Sequence, residues 1–186
     1  HAVAPEVIII TETNVPHGEN ISYFGEGNDE AQMVYNFALP PLLAFSVLKS
    51  NTEKLTNWAK ELALPGGGVC FFNFTASHDG IGVRAVNDIL DEKEMSFLVR
   101  TSIGHGGYAS YRAIGDEDES PYELNCSYID LLTHPEEDDN IRVKRMILSQ
   151  AVVLAMPGVP GIYFHSLVGS RNYHEAVRKT RINRSI

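Results

Sequence analysis

Only four short runs in this chain read as β-strands, and they alternate with segments that read as helix or loop. "EVIIITE" (6–12) is a β-branched run ending on a carboxylate, expected to be a buried strand. "QMVYNFAL" (32–39) alternates apolar and polar residues, "VCFFNFTAS" (69–77) is a third apolar run, and "IYFHSL" (162–167) reads as the fourth. Strands alternating with helices imply parallel pairing through right-handed crossovers. Four strands cannot close a (β/α)8 barrel, which takes eight and about 250 residues, against 186 here. The pattern therefore leaves two architectures, a small open α/β sheet or half of such a barrel.

The segments between the strands divide into two kinds. "VPHGENISYFGEGN" (15–28) is rich in Gly and Asn and reads as a loop with room for a short helix. "LLAFSVLK" (42–49) and "TEKLTNWAKELAL" (52–64) read as helix, broken near Ser50-Asn51, with Pro40-Pro41 tolerated in a first turn. In the second piece Leu55, Trp58, Ala59 and Leu62 fall on one face. "NIRVKRMILSQAVVLAM" (140–156) is strongly helical, and Pro157-Gly158 and Pro160-Gly161 break it. Residues 80–140 differ: acidic clusters and glycines dominate and hydrophobic periodicity is weak. That stretch is expected to be an inserted, loop-rich subdomain, which divides the chain into 1–79, 80–140 and 141–186.

Composition removes several function classes. The net charge is −9, which argues against nucleic acid or an anionic membrane as the main partner, though a local basic pocket for a small anion remains open. No apolar run is long enough for a membrane span. The two cysteines, Cys70 and Cys126, are expected to be buried free thiols, which fits a reducing, cytoplasmic setting. Asn-X-Ser/Thr occurs at Asn20, Asn73, Asn125 and Asn183; Asn73 lies inside an apolar strand, so these read as chance matches. The chain begins with His1 rather than Met, so a natural start further upstream is expected.

In parallel α/β proteins reactive groups gather at the C-terminal ends of strands. Glu12 ends the first run, His78 and Asp79 end the third, and His165 lies near the end of the fourth. Two carboxylates facing one pocket suit glycosyl transfer through an oxocarbenium-like transition state. One must hold a proton for the leaving oxygen, which burial and a neighbouring anion favour. The other stays ionised and stabilises positive charge, and an uncharged histidine beside it can bond a sugar hydroxyl. Other readings are weaker. "GHGGY" (104–108) lacks the Lys-Ser/Thr of a phosphate loop. The histidines lack metal-ligand spacing, and the acidic runs 116–119 and 136–139 lack the EF-hand pattern and read as solvated faces. Neither a metal nor a cofactor is expected.

Three segments, "ITETNVPHGENISYFG", "NFTASHDGIGVR" and "GVPGIYFHSLVGSRN", resemble successive parts of glycoside hydrolase family 13, the α-amylase superfamily. Within it they look most like the sucrose phosphorylase subfamily, which includes glucosylglycerate phosphorylase. "DEAQMVYNFALPPLL" and "SPYELN" add to the match. The resemblance implies that the chain supplies strands five to eight of a (β/α)8 barrel, with the insertion following strand seven. It implies that Glu12 is the general acid/base, Asp79 the transition-state stabiliser and His78 a contact to the glucosyl ring. It further implies that Tyr122 and Glu123 lie on a mobile loop at the acceptor site, and that Arg184 of "INRSI" clamps a glucose hydroxyl.

The family's nucleophile is an Asp in an Arg-x-Asp-Ala-like setting, and no Asp-Ala occurs in this chain. The expectation is a fragment of a retaining disaccharide phosphorylase, inactive alone. Its parent takes an α-glucosyl disaccharide or glucoside and inorganic phosphate and gives α-glucose 1-phosphate. A hydrolase of the same family and a non-catalytic sugar-binding module are the alternatives. Open edges of a half-barrel are expected to drive self-association or pairing with a missing half.

Overall fold

The computed structural model of the chain describes residues 4, 6–27, 29–114 and 118–186. Positions 116 and 117 of the acidic run at 116–119 lie outside the described residues. The first strand, β1, is Ile10–Thr11, and it leads to a short helix, α1, at His17–Ser22. Strand β2 (Met33–Tyr35) is followed by α2 (Leu39–Lys49) and α3 (Glu53–Glu61). The break expected at Ser50-Asn51 is real: Ser50 takes a left-handed turn at φ 51° and ends α2. Pro40 and Pro41 sit in the first turn of α2, where their missing N–H groups cost nothing. Strand β3 is Cys70–Asn73.

The stretch expected to be loop-rich contains regular elements instead. Strand β4 (Ile81–Gly82) is followed by α4 (Glu92–Gly104), a helix of 13 residues. A hairpin then forms from β5 (Tyr108–Ile114) and β6 (Asp118–Asn125), with a bulge at Ser110/Tyr111. Strand β6 is central in this antiparallel sheet, flanked by β4 and β5. The start of α4 was marked in the sequence. Asp91 accepts from the N–H groups of Lys93 and Glu94, and Glu94 reaches back to the Asp91 N–H, a reciprocal capping box.

Beyond the hairpin come α5 (Tyr128–Leu131), α6 (Asp139–Ala155), β7 (Val159–Pro160), α7 (Phe164–Leu167) and α8 (His174–Thr180). The fourth strand of the parallel sheet is thus β7, not residues 162–167, most of which form α7. Two glycines explain the shift. A Cβ on Gly158 would stand 2.4 Å from the Phe71 carbonyl oxygen, and one on Gly161 would stand 2.2 Å from the Phe72 ring. The backbone lies so close to β3 that the stretch holding the Pro-Gly pairs, read as breakers, contains the strand. Asn73 donates to the Pro157 carbonyl at 2.9 Å, and Gly161 N–H donates to the Asn73 carbonyl at 2.7 Å.

The parallel sheet runs β1-β2-β3-β7, and every neighbouring pair is parallel. One apolar core joins it to the second sheet: Leu39 and Leu42 of α2 meet Phe74, Ile81, Leu98, Leu124, Tyr128 and Leu132. The Tyr128 hydroxyl donates to the Pro40 carbonyl at 2.8 Å, tying α5 to the start of α2. Contrary to expectation, the run before β1 is not buried. Ile8 is 62% and Ile10 51% exposed, because β1 is an edge strand and no other strand among the described residues pairs with its outer side.

Cys126 is buried and Cys70 half-buried, and neither is in a disulfide. Burial pushes the Cys126 thiol up to about 12, so it is inert. Asn20, Asn73 and Asn125 are buried with their side chains hydrogen-bonded, which leaves no access for a glycan in the folded chain. Among the described residues no helix is long and apolar enough to cross a membrane.

His17, at the start of α1, packs against Trp58 and Phe71, and its Nε2 accepts from the Trp58 indole N–H at 3.2 Å. Burial lowers its pKa below the ordinary histidine value. The unfolded chain therefore binds a proton that the folded chain resists. Stability is full above about pH 6.5 and declines as pH falls through the lowered folded value. Thermal melts between pH 7.5 and 5 are expected to show this decline, and His17→Gln is expected to flatten it. An unchanged slope in the variant would assign the decline to other groups.

Candidate functional site

Asp79 is held by a tight turn after β3. Ser77 and Gly80 exchange backbone hydrogen bonds at 3.2 and 3.3 Å, and the Asp79 N–H donates to the Ser77 hydroxyl at 3.2 Å. Gly80 turns at φ +109°, where a Cβ would meet the Leu124 carbonyl at 2.5 Å. Asn125 on β6 donates to the Asp79 carbonyl at 3.0 Å. The backbone of Asp79 is thus fixed from both sheets, and its carboxylate stays part-exposed.

That carboxylate accepts from Arg184, which lies in a 3-10 turn at Asn183–Ser185 after α8. His78 is exposed, with its Nε2 3.5 Å from the other Asp79 oxygen. Glu123 on β6 completes the group. Its carboxyl titrates above the ordinary glutamate range, first through burial and then through the charge of Asp79, partly offset by Arg184. A group so placed keeps its proton to higher pH and can donate a hydrogen bond.

Glu12 follows β1 directly. The register pairs Ile10 with Met33 and Thr11 with Val34, which sets Glu12 in the row of Tyr35 and Phe72. Tyr35 has a raised pKa from burial and, secondarily, from the Glu12 charge. Glu12 itself is exposed, so the burial expected of a proton-holding carboxylate is absent in this chain. The loop after it is anchored: buried Asn14 donates to the Tyr122 carbonyl at 2.9 Å.

Three cavities connect these groups. Glu12, Tyr35, Phe72, His78 and Tyr163 line one of about 250 Å³. His78, Asp79, His165 and Arg184 line a second of about 640 Å³. Tyr122, Glu123 and Arg184 line a third of about 400 Å³. His78 is shared by the first two and Arg184 by the last two. Glu12 and Asp79 therefore do not line one hollow; they border adjoining hollows with His78 between them.

Two expectations need correction. Tyr122 and Glu123 lie within β6, paired with β4 and β5, not on a free loop. His165 lies on α7, past the sheet, where its Nδ1 pairs with the Ser170 hydroxyl at 2.9 Å. Sequence reasoning missed Tyr35, Asn14 and Asn125, whose partners are distant in the chain, and Asp130. Asp130 is buried and accepts from Arg171, the Asn172 N–H and the Ser127 hydroxyl, which pins the segment after α7 beside the cavity of about 640 Å³. Among the described residues no group of three or more His, Cys, Asp or Glu side chains could hold a metal ion.

No protein-family model matches the chain. It is 48% identical over 184 residues to glucosylglycerate phosphorylase of Escherichia coli K12, covering 99% of this chain and 33% of that protein. The corresponding protein of Spirochaeta thermophila is 47% identical, again over 99% of this chain and 31% of the relative. Sucrose phosphorylase of Agrobacterium vitis is 29% identical over 82% of this chain. In fold, the chain matches the crystal structure of sucrose 6F-phosphate phosphorylase from Thermoanaerobacter thermosaccharolyticum. The TM-score is 0.82 at 22% identity, over all of this chain and 35% of that one. The chain spans about a third of the length of these relatives. Its homologues are the glucosylglycerate and sucrose phosphorylases of glycoside hydrolase family 13, of which it covers about a third.

Proposed function

We propose that this chain is the part of a retaining α-glucosyl-transferring disaccharide phosphorylase that carries strands five to eight of its (β/α)8 barrel. In this reading residues 80–140 are the subdomain after strand seven, between parts 1–79 and 141–186. The substrates are an α-glucosyl disaccharide or glucoside and inorganic phosphate, and the product is α-glucose 1-phosphate. Glu12 protonates the leaving oxygen and later deprotonates the incoming phosphate. Asp79 stays ionised and stabilises the oxocarbenium-like transition state, with Arg184 orienting it. His78, between the two, bonds the sugar ring. Tyr122 and Glu123 face the acceptor side. The nucleophilic aspartate of the first displacement lies outside this chain.

The observation that carries this is the placement of Glu12 and Asp79. They follow separate strands of one parallel sheet and border hollows that share His78 as a wall. The relatives named as glucosylglycerate phosphorylases, nearly half identical over almost the whole chain, supply the substrate class. The test mixes this chain with the separately produced remaining two thirds of the Escherichia coli relative. Glucose 1-phosphate release from glucosylglycerate is then measured with and without phosphate. The mixture is expected to turn over only with phosphate, and either component alone not at all. Turnover by this chain alone would refute the reading. Free glucose at the same rate without phosphate would assign a hydrolase.

The open sheet gives a further expectation about partners. Among the described residues the outer edges of β1 and β7 pair with no strand, and Ile147, Leu148 and Leu154 of α6 are exposed while its Arg142 and Ser149 are buried. Apolar edges of this kind seek a strand. The isolated chain is expected to self-associate, giving a mass by light scattering above the 20.6 kDa of one copy. A monodisperse monomer would count against it. The acidic balance of the chain supports neither nucleic acid nor a membrane surface as a partner, and a cytoplasmic setting belongs to the same reading.

A further inference from the structure

Arg181 ends α8 in a conformation its residue type does not favour. It closes the helix at φ 58°, ψ 28°, the left-handed region where glycine sits at no steric cost and a side chain bearing a Cβ is disfavoured. Ser50 makes the same turn after α2 on exposed surface, so the turn alone carries nothing. Arg181 differs in its surroundings. It lines the cavity of about 400 Å³ together with Tyr122, Glu123, Asn125 and Arg184. Arg184 is already bound to Asp79, whereas the Arg181 guanidinium has no hydrogen-bond or ion-pair partner among the described residues. A third guanidinium, that of Arg112, lies over the Tyr122 ring at 5.8 Å from its centroid. Two arginines therefore line one cavity with Tyr122, and Arg112, which borders a neighbouring cavity, lies over the Tyr122 ring, in a chain whose net charge is −9. The carboxyl in the same wall, Glu123, holds its proton more firmly than usual, which lessens the opposing charge.

We propose that Arg181 is a specificity residue of this site: its guanidinium receives an oxyanion, a carboxylate on the acceptor or inorganic phosphate, beside Tyr122. The proposal rests on the glucosyl-transfer reading above and extends it. Arg184 lines both this cavity and the larger one at Asp79, so a bound ligand would place its sugar on one side of Arg184 and its charge on the other. A planar guanidinium suits both oxyanions, because its paired N–H groups match two oxygens at once. The left-handed turn is then strain retained for placement.

The test is an NMR titration of the whole chain, reading the arginine Nε–Hε signals and the backbone amides at constant ionic strength. Sodium glycerate and sodium phosphate are each added, with glycerol as the neutral control and glucose as the sugar probe. Glycerate or phosphate, or both, are expected to shift the Arg181 signal saturably, and glycerol is not; which anion acts identifies its source. Arg181→Gly is expected to weaken anion binding at least tenfold while leaving the melting temperature unchanged or higher, since glycine accepts the turn. A residue that only capped the helix would not trade stability against binding in this way. Arg181→Asn, which also tolerates the turn, serves as the second variant should the first unfold. Native anion affinity in a folded variant, or equal shifts with glycerol, would overturn the proposal. Glucose without effect around His78 and Asp79, with the anion still moving Arg181, would sink the glucosyl reading and leave only an oxyanion site at Arg181.

Discussion

In the assembly of this chain with the complementary part of a relative, Asp79→Asn is expected to lower kcat by about 10³-fold and to change KM less than tenfold. The substitution keeps size and shape and removes only the charge. Asp79 is held by backbone contacts from both sheets, through the Ser77–Gly80 turn and the Asn125 side chain, so the amide would occupy the same place. A charge fixed before substrate arrives acts on the transition state, where positive charge develops, and little on the neutral bound sugar. The loss should therefore fall on kcat. A second signature follows from Arg184, whose ion pair with residue 79 would become a hydrogen bond to a neutral amide oxygen. Glucose binding should survive in the variant while turnover does not. A large rise in KM at unchanged kcat would reduce Asp79 to a ground-state contact and remove the electrostatic role proposed for it.

Gly80→Ala is expected to cost about 3 kcal/mol of stability, a fall in melting temperature of about 6–12 °C for a chain of this size. Two effects add. The turn requires φ +109°, and the new methyl would stand 2.5 Å from the Leu124 carbonyl oxygen and 3.3 Å from the Asn125 Cα. Neither atom can yield, because both belong to β6, the central strand of the second sheet. Relief can come only by moving the 77–80 turn, which carries Asp79 away from Asn125 and Arg184. The same variant should therefore lose the Asp79 contacts seen by NMR. Gly67→Ala is the control: no atom lies within 4 Å of its added Cβ and its φ is ordinary, so a neutral result is expected. Equal stability of the two variants would show that the turn is not the constraint argued here.

Much of the site could be read from the chain because its residues are local. His78, Asp79 and Gly80 follow one another in the turn after β3, and the apolar run before them already marks a strand aimed at something reactive. Glu12 is legible in the same way, as the carboxylate that ends a β-branched run. What could not be read is the company these residues keep. Glu123 takes its raised pKa from burial and from Asp79, 44 residues earlier in the chain. Arg184 meets Asp79 across 105 residues. The fourth strand was misplaced for a related reason. Pro-Gly pairs end helices by local rules, and only the closeness of the β3 backbone makes Gly158 and Gly161 fit a ladder. Residues 80–140 looked loop-rich because their hairpin packs on α4 and pairs along its edge with β4, a pattern set by distant partners and not by any single period. The capping box at Asp91 and Glu94 was the local signal that could have revealed α4.

The sequence by itself determined the alternation of strands and helices, the turn at Gly80 and the identity of the acidic and basic groups. These depend on contacts within a few residues, where steric and capping rules act. Tertiary structure alone decided that Asp79, Glu123 and Arg184 form one charge cluster and that Arg181 stands free beside it. Such contacts need the two sheets to pack on one shared core, and no short-range preference in the chain encodes that distance.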